Sequence, residues 1–119
     1  MKLPKKWRKR YETRVKELHE QVLDTIDSFE ETYERLKGFG ANIPGYHEQS
    51  QELRSVLDAS RDVLLQEQDY ELLWQAQDAL FEKARVLTGQ VTGESDRIFR
   101  ETFGCEPSDM YKIQSVALQ

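Results

Sequence analysis

The sequence predicts an all-α fold, a small helical bundle built on one long N-terminal amphipathic helix. Three observations predict it. Every apolar pattern longer than a few residues recurs at helical spacing, and none alternates as a half-buried strand would. Residues 7–36 contain neither Pro nor Gly. Finally, 33% of the 119 residues are charged against an apolar share of 38%, a balance that suits a thin bundle with much surface better than a thick α/β core. A chain of this length is one helical domain, residues 1–119, with residues 1–6 as a basic N-terminal arm.

The first helix rests on Trp7, Tyr11, Val15, Leu18, Val22, Ile26, Phe29, Tyr33 and Leu36, which follow one another at steps of three or four. That spacing keeps them on one stripe of a helix with about 3.6 residues per turn. Pro4 suits a position at or before the first turn, and Gly38-Phe39-Gly40 supplies the stop near Lys37. A helix of some thirty residues is about 45 Å long. It is longer than a compact domain of this size, so the sequence predicts that it projects from the bundle or pairs with a second copy of the chain.

Residues 38–46 hold three glycines and Pro44 and form a loop, in which Phe39, Ile43 and Tyr46 are expected to cap the core. A second helix follows over about 47–65, carried by Leu53, Val56, Leu57, Val63 and Leu64. The apolar pattern lapses at residues 66–69 and resumes with Leu72, Leu73, Ala76, Leu80, Ala84 and Leu87, ending at Thr88-Gly89. Asp69 can cap a third helix there. A turn near Gln68 is the favoured reading. Without it, residues 47–88 make one helix, and the fold is a long antiparallel helical hairpin or coiled coil with two short C-terminal helices. Residues 90–93 are read as a second loop, with Thr92 capping a short helix that holds Ile98, Phe99 and Phe103 and stops at Gly104. Pro107 opens a last short helix with Met110, Ile113 and Ala117 on one side, and the tail from Val116 is frayed.

Charge is distributed unevenly. Residues 1–16 carry eight Lys and Arg against Glu12 alone, a net +7, so with a whole-chain charge of −5 the other 103 residues carry −12. The basic segment gives the candidate binding residues: Lys5, Lys6, Trp7, Arg8, Lys9, Arg10 and Arg14. Dense cations beside an aromatic attract an acidic protein surface, nucleic-acid phosphates or anionic lipid headgroups. Positive charge in a first helical turn opposes the helix dipole, which argues that these residues serve something other than helix stability. Trp7 heads the apolar stripe and reads as a packing residue.

Catalytic patterns are scarce. His19 and His47 lack a second ligand at helical spacing, so neither the Glu-x-x-His pattern of di-iron bundles nor the His-Glu-x-x-His pattern of zinc proteases is present. Cys105 stands alone, without a partner for a disulfide or a neighbouring His. Asp24, Asp27, Glu31 and Glu34 share one helix face and read as a solvated strip. No metal or cofactor is expected. Residues 18–35, with the Ile26-Asp27 pair, resemble the first helix of chorismate mutases, all-helical enzymes that bind a dianion through several cations. The paired cations of that family have no match here.

These features predict a non-enzymatic helical protein-protein interaction module, an adaptor, chaperone-like partner or small inhibitor, acting in the cytoplasm. Its partner is another protein with an acidic surface, or a second copy forming a homodimer. The alternative is a nucleic-acid-binding accessory protein that uses the basic segment, less favoured because the rest of the chain is acidic. A small all-helical enzyme is the remote alternative. No stretch is apolar enough over about 18 residues to cross a membrane.

Overall fold

The computed structural model describes residues 3–105. They form three helices, α1 (Lys5–Lys37), α2 (Tyr46–Glu67) and α3 (Tyr70–Phe103), with no strand among the described residues. The fold is the expected small bundle with a long N-terminal helix. Tyr11 of α1 meets Tyr70 of α3 at one end, and the loop after α1 meets Glu94 and Arg97 at the other. Hence α1 and α3 run in the same direction, and α2 runs back between their ends. By the rise per residue α1 and α3 are each about 50 Å long and α2 about 33 Å.

The stripe of α1 is buried as its spacing predicts: Tyr11, Val15, Leu18, Val22, Ile26 and Tyr33 are almost wholly inaccessible, and Phe29 and Leu36 pack partly buried against them. Leu53, Leu57 and Leu64 of α2 and Leu73, Leu80, Ala84, Leu87 and Val91 of α3 complete the core. A helix too long for its core suggests a projecting or paired helix; here α3, as long as α1, buries the stripe within one chain. Before Tyr11, the first turns of α1 lie beside Tyr70 at the start of α3, and Leu3 still packs against the core.

Tyrosines close both ends. The Tyr11 hydroxyl donates to the Leu64 carbonyl oxygen at 2.6 Å, and its ring meets Tyr70 edge-on with centroids 5.2 Å apart. At the other end the Ile43 N–H donates to the Tyr33 hydroxyl oxygen at 2.9 Å, and the Tyr33 and Tyr46 rings lie 4.5 Å apart. Burial, with the Glu30 carboxylate nearby, pushes the Tyr46 phenol up to about 12. Between these ends, Arg54 of α2 bridges Asp27 and Glu30 of α1 at 2.6 Å each, and the Ser50 hydroxyl donates to Glu30.

The turn at Gln68 is present and takes only two residues. Gln68 sits in the left-handed region, at φ 53°, and its N–H donates to the Leu64 carbonyl. The Asp69 carboxylate then accepts from the N–H groups of Glu71 and Leu72, capping α3. No glycine is used, although the left-handed conformation disfavours a side chain.

Three expectations are corrected. Residues 90–93 are not a loop: α3 runs unbroken through Gly89 and Gly93, so the short helix expected after Thr92 is its last part. Tertiary contact overrides the glycines, because Val91, on the same face as Leu87 and Ala84, is buried in the core. The Asn42 N–H also donates to the Glu94 carboxylate, and the Arg97 guanidinium donates to the Gly40 carbonyl, tying the α1–α2 loop to this stretch. Phe39 does not cap the core; it is exposed, whereas Ile43 and Tyr46 do pack as expected. Trp7 is half exposed rather than packed, lying in an open groove beside Tyr70. The expected last helix from Pro107 and the tail lie outside the described residues.

Two predictions follow from α3. Glycine inside a helix costs about 0.5–1 kcal/mol relative to alanine, and a Cβ at Gly89 or Gly93 would meet open space. Gly89→Ala and Gly93→Ala should therefore each raise the unfolding free energy by about 0.5–1 kcal/mol, read by urea denaturation. A loop at 90–93 would give no such gain. The second concerns acid. The Arg97 guanidinium and the Asn42 N–H hold the Glu94 carboxyl down to about 2. Its contribution to stability is present above the ordinary glutamate value of about 4.3 and is lost as pH falls from there toward about 2. Urea midpoints measured across that interval should fall less steeply for Glu94→Gln than for the parent.

Candidate functional site

The start of α1 carries the site. No acid stands in the first turn of α1, and no side chain caps it; Pro4 occupies the cap position, its carbonyl accepting from the N–H groups of Trp7 and Arg8. Lys5 and Lys6, assigned from sequence to a basic arm, form the first helical turn. One face of this turn and the next two opens into a surface groove of about 680 Å³, lined by Lys6, Trp7, Lys9, Arg10, Thr13 and Arg14 of α1 and Tyr70 of α3.

Five of the seven residues singled out from sequence therefore line one groove: Lys6, Trp7, Lys9, Arg10 and Arg14. The other two do not. Lys5 is exposed outside the groove, and Arg8 turns inward, its guanidinium donating to the Leu3 carbonyl oxygen at 3.4 Å while its Nε is buried without a hydrogen-bond partner. The reason is helical geometry. Successive residues rotate by about 100°, so a continuous basic run cannot face one way.

Four cations line the groove and no acid does. The Arg10 guanidinium lies over the Trp7 ring, 5.3 Å from its centroid, within the range of a cation–π contact. Arg14 is tied to Glu17, one turn on, at 3.5 Å, with both side chains more than half exposed. Such a pair is weak and exchangeable. The arrangement can seat a carboxylate or phosphate on the planar donors of Arg10 and Arg14, with Trp7 and Tyr70 offering apolar area beside it.

Tyr70 and Thr13 escaped the sequence reading. Tyr70 lies far along the chain, and only the turn at Gln68 brings it beside Trp7. The signal was available in the connectivity: with that turn, α3 must begin at the level where α1 begins.

The other polar clusters hold helices together. The His19 imidazole and the Asp58 carboxylate share a hydrogen bond of 2.8 Å between α1 and α2, and this bond, with Arg61, holds the Asp58 carboxyl below its usual range. Asp24, Asp27, Glu31 and Glu34 are exposed, with Asp27 drawn to Arg54 and Glu34 to Lys37. Among the described residues no three His, Cys, Asp or Glu side chains are grouped so as to hold a metal ion, and no helix is long and apolar enough to cross a membrane.

Compared with known proteins, the chain matches no family, no curated protein and no solved structure.

The cations at the start of α1 face an adverse helix dipole. Replacing one by an acid removes that cost, so Lys6→Glu should raise stability by about 0.3–1 kcal/mol. A thermal melt followed by circular dichroism at low salt checks it, and the gain should shrink as salt is added.

Proposed function

We propose that the protein is a non-enzymatic interaction module that captures an acidic segment of another protein in the groove at the start of α1, acting in the cytoplasm, where a lone thiol such as Cys105 stays reduced. One observation carries the reading. Lys6, Lys9, Arg10 and Arg14 converge with Trp7 and Tyr70 on one groove whose lining contains no acid, in a chain that is acidic elsewhere. Exposed aromatic and Arg side chains gathered in one place are the usual anchors of protein interfaces. The acidic remainder of the chain favours a compact acidic segment over a long polyanion such as DNA or RNA, which would be repelled outside the groove. A second copy of this chain, through its own exposed Asp24 to Glu34 strip, is one source of such a segment.

The test is crosslinked capture from the native host lysate, comparing the parent with a Lys6→Glu, Arg10→Glu, Arg14→Glu variant. Arg8 is left untouched because it faces inward. The parent should retain at least one protein that the variant loses. Retention should fade as the screening length falls from about 10 Å at 0.1 M salt to about 3 Å at 1 M, while the helical content of the variant stays unchanged. Equal capture by both would leave the groove as a solvated helix start. Strongly salt-dependent binding of generic single-stranded DNA, lost in the same variant, would favour the nucleic-acid reading. Light scattering over a concentration series decides self-association.

A further inference from the structure

We infer that the groove continues along α3 as a docking track for one kind of partner, an amphipathic helix of another protein that is acidic at one end and apolar beyond it. The inference rests on the acidic-partner reading above and specifies the partner's shape.

The track is read from three aromatics. The Tyr70 ring, which lines the basic groove, lies 6.3 Å from the ring of Trp74, and Trp74 is 61% exposed. Phe81, 38% exposed, follows seven residues later, about two turns on and so on the same face of α3. Trp7, itself 46% exposed, lines the same groove as Tyr70, whose half-buried ring rests edge-on against Tyr11. From Tyr70 to Phe81 is about 16 Å along the helix. Isolated exposed apolar residues are ordinary, but an aligned aromatic series joined to a cationic groove is the composition of an interface.

Charge selects the occupant. On α1, the positions that share the face of Arg14 two and three turns further on are Gln21 and Thr25, both uncharged. Beyond that end α1 presents Glu17, paired with Arg14, and α3 presents Asp78 and Arg85, the latter paired with Glu82, so the cations that line the groove gather at the Trp7 end. The matching ligand carries its acids where it meets Arg10 and Arg14 and apolar side chains where it meets Trp74 and Phe81. Backbone chemistry selects the conformation. Both walls are helices whose N–H and C=O groups are already paired, so an extended peptide laid between them would find no backbone partners. A helix brings its backbone hydrogen bonds with it, and apolar residues at i, i+4 and i+11 reproduce the spacing of Tyr70, Trp74 and Phe81.

The experiment uses the chain's own reporters, since Trp7 and Trp74 are its only two tryptophans. Three probes are titrated: a lactam-stapled helical peptide of about 18 residues, or about 27 Å, with Glu at one end and Leu at i, i+4 and i+11; the same composition scrambled and unstapled; and oligothymidylate. Trp7→Phe and Trp74→Phe variants separate the two signals. The stapled helix should bind with changes in the emission of both tryptophans. Phe81→Ala should weaken it at least tenfold, and so should Arg10→Glu with Arg14→Glu, the latter only at low salt. These side chains are exposed, and circular dichroism confirms that each variant keeps its helices. If the scrambled acidic peptide binds as well, with only Trp7 responding and Phe81→Ala silent, the track is overturned while the acidic-segment reading stands. If only oligothymidylate binds, or if no acidic probe binds, both are overturned.

Discussion

The fold depends on one constraint, that a single stripe of α1 must be buried on two sides at once. Tyr11, Val15, Leu18, Val22, Ile26 and Tyr33 are inaccessible because α2 and α3 cover the stripe together. Burying an aliphatic side chain of this kind yields about 1.5–3 kcal/mol, so the stripe dominates what holds three otherwise polar helices together. Its length sets the length of α3. A helix ending at Thr88 would leave the C-terminal third of α1 half covered; α3 instead runs to Phe103 and carries Val91 into the core.

Polar groups fix the register that apolar contact leaves loose. Apolar stripes can slide past one another by a turn at modest cost, but the Tyr11 hydroxyl reaches one carbonyl, that of Leu64, and Arg54 reaches one pair of carboxylates, Asp27 and Glu30. Glu94 and Arg97 do the same for the loop, holding Asn42 and Gly40. These contacts sit at the two ends and the middle of the bundle, so a one-turn slip breaks all of them together. A hydrogen bond of this type is worth about 1 kcal/mol net, which is small beside the core and sufficient to choose among registers.

The start of α1 runs against the preferences of a helix. Cations crowd a turn where the dipole favours anions, no side chain caps it, and a tryptophan that heads the apolar stripe is left half exposed. Residues that lower stability without a packing reason are commonly found where a surface is used. The groove there is bounded by α1 and the first residue of α3, and is open to a partner on its remaining side.

The sequence by itself determined the fold class, the extent of α1 and its buried stripe, because periodicity over thirty residues has one solution. It also marked the basic segment as a candidate site, because charge is additive along a chain and needs no geometry to count. Tertiary structure decided the rest. Gly89 and Gly93 read locally as a break, but a glycine costs about 1 kcal/mol in a helix, less than the burial of Val91 and Leu87 returns, so α3 continues. The lapse of the apolar pattern at residues 66–69 and the Asp69 cap already favoured a reversal near Gln68; the tertiary structure decided that it takes only two residues, with Gln68 in the left-handed region and its N–H on the Leu64 carbonyl. The inward turn of Arg8, onto the Leu3 carbonyl, follows from the helical rotation of one residue against the next, whereas the approach of Tyr70 to Trp7 follows from the packing of chain segments more than sixty residues apart.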